Sequence, residues 1–276
     1  MTRLTETAYA KINLALHVRA RRSDGYHEIE TLFAFVDGGD VLHVEPADDL
    51  SLEIIGPFGA GLSAADDNLV LKAARALQQR NGIESGARFT LDKRLPVASG
   101  IGGGSADAAA ALRLGVRLWE LDEAASRPMD IAAAIGADVP ACVLSQSCMG
   151  TNLGDQLAPV DGSPLSGTPI LPVNPLLSCP TGAVFAAWDG VDRGPLNADD
   201  WRSARNDLEQ PAIALVPQIA DVLDVLRDLP EVRLARMSGS GATCFALFDT
   251  EAARNAGEAA VRRDRSNWWT MTGCLR

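Results

Sequence analysis

The sequence predicts an α+β fold in two domains, and three observations carry that expectation. Segments of strand pattern and of helix pattern are mixed along the chain. A glycine-rich run stands between a strand pattern and an alanine-rich helix pattern. Near residue 150 the composition shifts, and the text up to Asp200 is rich in Pro, Gly and Asp. With 276 residues, 47% of them apolar, the chain can fill one large core or two moderate ones. The composition shift places the boundary so that the domains span 1–150 and 151–276.

Taken in order, residues 8–18 read as a strand with Ile12, Leu14 and Leu16 on one face. Ser23-Asp24-Gly25-Tyr26-His27 is a turn by its residue types. Strands are expected over 31–36, 41–44 and 50–55. The spacing predicts a helix over 68–79, capped by Asp66 or Asp67 and stopped by Gly82. Residues 87–95 alternate apolar and polar as a half-buried strand does, and the alanine helix runs to about 118. A helix over 129–135 ends at Gly136, after which Gly136-Ala137-Asp138-Val139-Pro140 leads into an apolar strand. Periodic Ile, Val and Leu predict one helix over 213–229, and strands over 231–237 and 243–249 flank a second glycine loop, Ser238-Gly239-Ser240-Gly241-Ala242.

The central run is Pro96-Val97-Ala98-Ser99-Gly100-Ile101-Gly102-Gly103-Gly104-Ser105-Ala106, followed by Asp107 and four alanines. So many glycines cost backbone entropy and bring no packing, but they let a ligand touch bare backbone. A glycine loop opening a helix offers unpaired N–H groups and the positive end of the helix dipole, which suits a phosphate. No Gly-Lys pair occurs, so this is not a Walker loop, and Ser105 stands where a dinucleotide fingerprint needs its third glycine.

A net charge of −11 argues against nucleic acid as a partner. The five cysteines are odd in number and lack metal-ligand spacing, which predicts buried thiols in a reducing compartment. Neither a signal-peptide core nor an apolar run of about 18 residues is found, so a cytoplasmic protein without a membrane partner is expected. Lysine is confined to Lys11, Lys72 and Lys93, and where it persists its compact ammonium can be specifically required. Lys11 lies in an apolar strand beside Asn13, where it either faces solvent or projects into a cleft next to a carboxylate. Asp138 is a candidate for that carboxylate, or else a turn former. Tyr26-His27 offers an exposed aromatic pair at a turn that can stack on a flat ring, or else an ordinary turn that packs its ring on the next strand.

Together, Ala10-Lys11-Ile12-Asn13-Leu14, the 96–106 loop and the 238–242 loop resemble the GHMP kinase superfamily. Asp24-Gly25-Tyr26-His27, Asp67-Asn68-Leu69, Gly136-Ala137-Asp138-Val139-Pro140 and Arg205-Asn206-Asp207-Leu208-Glu209 extend the resemblance along nearly the whole chain. It implies a two-domain GHMP kinase fold with the active site in the cleft between domains and a left-handed crossover at the phosphate loop. It implies phosphoryl transfer from ATP, with Mg2+, to the 2-hydroxyl of a cytidine diphosphate-linked methylerythritol, a small-molecule substrate of isoprenoid synthesis. Lys11 and Asp138 are implied as the catalytic pair. Pro96, Val97, Ala98, Ser99, Gly100, Ile101, Gly102, Gly103, Gly104, Ser105 and Ala106 are implied to hold the ATP phosphates, with Ser105 near the metal. Asn68 and Lys93 are implied to line the nucleotide pocket. Asn13, Tyr26 and His27 are implied to bind the substrate, the last two near the cytosine, with Phe185 closing over that ring. Val97-Ala98-Ser99 departs from a family pattern richer in glycine before Gly100. A monomer or weak homodimer is expected. Another kinase of the superfamily, acting on homoserine, mevalonate or a sugar, and a catalytically silent nucleotide-binding protein on the same scaffold are the alternatives.

Overall fold

A computed structural model describes residues 3–276. The chain forms two compact units that interleave in sequence. The first takes the chain up to Ala10, then Gly39–Val97 and Gly102–Ser145; the second takes Lys11–Gly38, Ala98–Ile101 and Gln146–Arg276. The last passage between units, after Ser145, falls near the composition shift around residue 150, and four earlier passages precede it. Two of them arise because β1 (Leu4–Arg21) and β2 (His27–Ala47) are long strands that each contribute one part to either unit, and the other two bound Ala98–Ile101 within the glycine-rich run.

β2 runs unbroken where two short strands are expected. Gly38-Gly39 lies inside it, and a Cβ on Gly39 would lie 2.0 Å from the Ala8 carbonyl oxygen. The glycine is there for close backbone approach within a strand.

In the first unit, the second half of β2 pairs antiparallel with β4 (Gly86–Asp92), in register from Val41 opposite Asp92 to Ala47 opposite Gly86. β3 (Ser51–Ile55) lies parallel to β4, joined by α1 (Leu69–Asn81) in a β–α–β unit. Asn68, not Asp66 or Asp67, caps α1: its side chain accepts from the Val70 amide at 2.9 Å, while Asp67 instead takes the Ser63 hydroxyl at 2.6 Å. The alanine run becomes α2 (Gly103–Leu118), whose small buried residues pack closely against α1. Three short helices follow: α3 (Glu123–Ser126), α4 (Pro128–Ile135) and α5 (Val139–Leu144). The expected strand after Asp138 is therefore a helix. A six-residue apolar run reads equally as either, and Pro140 in its first turn favours the helix. Arg113 of α2 fixes α5 by donating to the Cys142 and Val143 carbonyls at 2.7 and 3.2 Å and to Glu6 of β1 at 3.0 Å.

In the second unit, the first half of β2 pairs with β5 (Cys148–Thr151), which pairs with β6 (Gln156–Pro159). A second sheet has the order β10-β7-β9-β8, with β11 also on β7; these are β7 (Pro169–Asn174), β8 (Val232–Met237), β9 (Cys244–Phe248), β10 (Trp269–Thr270) and β11 (Gly273–Cys274). Helices α6 (Thr181–Ala186), α7 (Glu209–Leu215), α8 (Gln218–Arg227) and α9 (Glu251–Asp264) complete the unit. The single helix expected over 213–229 is two, because Pro217 cannot continue α7 and instead starts α8. Ile219, Val222, Leu223 and Leu226 form the buried stripe of α8 and share a core with Val173, Ala246 and Phe248 of the sheet.

Candidate active site

In the first unit, Gly102 adopts a left-handed conformation (φ 64°) and begins α2 without a side-chain cap. The first-turn N–H groups of α2, which have no intrahelical acceptor, receive no side-chain cap from Gly102, and Gly103, Gly104 and Ser105 present them on a partly exposed surface. Beneath this turn lies Lys93. It is 3% exposed, and its ammonium donates to Asp40 and Asp107, each at 2.6 Å. Asp40 also accepts from the Arg94 and Leu95 amides at 2.6 and 2.8 Å, so it clamps the chain just after β4. Burial pushes the Asp107 carboxyl up to about 7, against the pull of Lys93. The Lys93 ammonium, held between two acids, has its pKa raised although burial alone would lower it. Lys93 supports the loop from below, a role the residue type alone does not reveal; Asp40, 53 residues earlier, is the partner sequence reading missed. Asn68 is half-buried at the start of α1 with its amide given to the cap and to the Ser63 carbonyl, at 2.8 Å. Asp138 is half-buried at the start of α5, and its side chain makes no capping bond to that helix.

In the second unit, Lys11 is 3% exposed, which removes the solvent-facing alternative. Its Nζ donates to Asn13 Oδ1 at 2.9 Å and lies 4.9 Å from the centre of the Phe33 ring. Asn13 Nδ2 donates to Thr31 Oγ1 at 2.7 Å, and Thr31 in turn donates to the Ala15 carbonyl at 2.7 Å. This chain of bonds fixes the Asn13 amide and, through it, the ammonium. Thr31 was not singled out by sequence reading; a hydroxyl in a strand carries no distinguishing signal there.

The two glycine loops meet within this unit. Ser238 Oγ donates to the Gly100 carbonyl at 3.0 Å and accepts from the Asn13 amide at 3.1 Å, while the Thr243 amide donates to the Ser99 carbonyl at 3.1 Å. The Ile101 carbonyl accepts from the Lys11 amide at 3.0 Å. Asn206 Nδ2 holds the 238–242 loop through the Met237 and Gly239 carbonyls, both at 2.8 Å, which gives the Arg205–Glu209 motif a physical purpose. Ala98 takes a left-handed φ of 51°, so the departure from a glycine-richer pattern places an alanine in a conformation glycine prefers. Pro96, Ser99 and Ile101 are buried and Val97 is 52% exposed.

These contacts separate the glycines of the loop by cause. Gly100 has φ 79°, and a Cβ there would stand 2.6 Å from both the Gly241 and Ser238 carbonyl oxygens. Gly104 has room: its Cβ would meet only Leu69 at 3.6 Å. Gly100→Ala is therefore expected to cost about 3 kcal/mol from left-handed strain and overpacking. Gly104→Ala should leave stability unchanged or raise it by up to about 1 kcal/mol, since alanine is the better helix former, yet weaken nucleotide binding. Thermal melts with and without ATP check both, and equal ATP shifts in wild type and Gly104→Ala would separate the loop from the nucleotide.

The aromatic residues divide as well. Tyr26 is 63% exposed at the β1–β2 turn, whereas His27 is buried, so the expectation of an exposed pair holds for Tyr26 alone. His27 faces the half-buried Phe185 of α6 at 5.1 Å between ring centres and meets Trp188 edge-on at 5.7 Å. Burial, assisted by nearby Arg21, holds the imidazole below its ordinary pKa. Trp188 is a further partner that sequence reading did not single out. Among the described residues no group of three His, Cys, Asp or Glu side chains could hold a metal ion, and no helix is long and apolar enough to cross a membrane.

Comparison with known proteins accounts for the pattern. A model of the GHMP kinases N terminal domain matches residues 68–146, and one of the GHMP kinases C terminal domain matches residues 192–266. The 4-diphosphocytidyl-2-C-methyl-D-erythritol kinase of Rhizorhabdus wittichii is 53% identical over 99% of this chain and 94% of its own. The protein of the same name from Novosphingobium aromaticivorans is 52% identical, over 99% and 93% respectively. A crystal structure of 4-(cytidine 5'-diphospho)-2C-methyl-D-erythritol kinase, 33% identical, superposes with a TM-score of 0.84 over 99% of both chains. A mevalonate kinase structure, only 10% identical, reaches a TM-score of 0.71 over 100% of this chain and 99% of its own, a likeness of fold alone. The chain belongs to the GHMP kinase family and is thereby a small-molecule kinase that takes its phosphoryl group from ATP.

Proposed function

We propose that this chain phosphorylates the 2-hydroxyl of 4-diphosphocytidyl-2-C-methyl-D-erythritol. The observation that carries this reading is identity of 53% with a kinase of that name over 99% of the chain. The His27–Phe185 ring pair, beside the exposed Tyr26, supports it by offering flat apolar surface for a nucleobase.

Phosphoryl transfer asks little covalent work of the protein, so positioning and charge neutralisation dominate. The amides from Gly102 to Ser105 receive the ATP phosphates, with residues 96–101 and Ala106 shaping the loop. Asn68 and Lys93 serve the nucleotide by fixing the starts of α1 and α2. Asp138 orients the substrate hydroxyl and takes its proton as the oxygen attacks the γ-phosphorus. Lys11, held by Asn13, stabilises the negative charge spread over the transferring group. Tyr26, His27 and Phe185 hold the cytosine. Magnesium takes few protein ligands and completes its shell with water and phosphate oxygens, and the Ser105 hydroxyl in the half-buried first turn of α2 fits that demand. When bound there, the metal neutralises phosphate charge.

A coupled ADP-release assay over a panel of acceptor alcohols tests the reading. Release is expected with the cytidyl alcohol and at background with homoserine, mevalonate and galactose. Comparable turnover of any of those three, or no turnover of the cytidyl alcohol, contradicts it.

A further inference from the structure

Arg21 closes β1 and His27 opens β2, on opposite sides of the 22–26 turn. The Arg21 guanidinium reaches three acceptors: Nε donates to His27 Nε2 at 3.4 Å, and Nη2 donates to the Ala186 and Trp188 carbonyls at 3.3 and 3.4 Å. Ala186 is the last residue of α6, the helix that carries Phe185. A single planar cation thus ties His27 to the end of the helix bearing its ring partner, an arrangement suited to orphan carbonyls at a helix C-terminus.

Guanidinium is a donor only, and neutral imidazole has one donor and one acceptor nitrogen. A nitrogen that accepts from Arg21 carries no hydrogen, so the hydrogen of His27 resides on Nδ1. Burial of the ring, 8% exposed, and the adjacent cation both disfavour the doubly protonated form, in which two N–H groups would oppose each other. His27 is left as a ring donor with one defined polarity. Cytosine has an acceptor at ring position N3, where uracil has an N–H.

We propose that Arg21 is a specificity-determining positioning residue: its guanidinium locks His27 as an Nδ1–H donor and aligns it with Phe185, so that the pair selects a cytosine over a uracil ring. This rests on the assignment of His27 to the base under the proposed function.

The test compares wild type with Arg21→Met, which keeps much of the side-chain length but cannot donate, and Arg21→Lys, which remains a donor. Two readouts are taken. Long-range 1H–15N correlation spectra of the full chain report the His27 tautomer, with His27→Gln identifying its signals. Turnover of cytidyl- and uridyl-linked methylerythritol reports selectivity. Expected are an Nδ1–H tautomer in wild type, a mixture in Arg21→Met, a preference for the cytidyl substrate that falls about tenfold in Arg21→Met through KM with kcat little changed, and partial recovery in Arg21→Lys. An Nε2–H tautomer in wild type, or undiminished preference in Arg21→Met, overturns the proposal. Wild type that turns over neither substrate sinks the functional assignment instead, and the tautomer still decides whether Arg21 sets the state of His27. Arg21 is exposed, and an unchanged melting temperature confirms that each variant is folded.

Discussion

Asp138→Asn and Lys11→Met are each expected to lower turnover by about two to four orders of magnitude with the fold retained. The asparagine keeps the size and position of the carboxylate but cannot take a proton from the attacking hydroxyl. Asp138 makes no capping bond to α5, and Arg113 fixes that helix at its other end. For Lys11 a volume-matched replacement is needed, because the side chain is buried and stands over Phe33. Truncation to alanine would mix a cavity with the loss of charge. Methionine leaves the Asn13–Thr31 bond able to form while removing the ammonium. Steady-state kinetics beside a thermal melt read both quantities, and turnover within about tenfold of wild type in either folded variant would remove that residue from the chemistry.

Lys93→Met is expected to destabilise the protein by about 3 kcal/mol, the lower part of the range for breaking a buried ion pair. Two buried acids lose their shared cation, and Asp40 is left holding only the backbone amides after β4. The loss falls short of the upper range because Asp107, already pushed up to about 7, can become neutral by binding a proton. Adding Asp107→Asn should accordingly recover part of the loss. Urea denaturation measures it, and a change below about 1 kcal/mol would mean that the triad is not a structural support for the start of α2.

Features dictated by local chemistry were legible in the sequence. The alanine run with its glycine entry became α2 over Gly103–Leu118, and the apolar strand with Lys11 and Asn13 became the middle of β1. What depended on partners distant in sequence was not. Gly100 looked like one more phosphate-loop glycine, yet the second glycine loop presses on it with two carbonyl oxygens. Nothing beside Lys93 in sequence announces Asp40 and Asp107, the acids that hold it. His27 looked exposed because turns usually are, but Phe185 and Trp188 cover it from more than 150 residues away in sequence. The helix after Asp138 was misread as a strand because a short apolar run has no decisive period.

Phosphorus-31 NMR of a reaction containing the chain, ATP, Mg2+ and the cytidyl alcohol tests the central claim most directly. The account predicts ADP and one new phosphomonoester signal in equal amounts, assigned by proton and carbon correlation to the 2-position. ADP that accumulates without the new ester, or an ester on another hydroxyl, would contradict it.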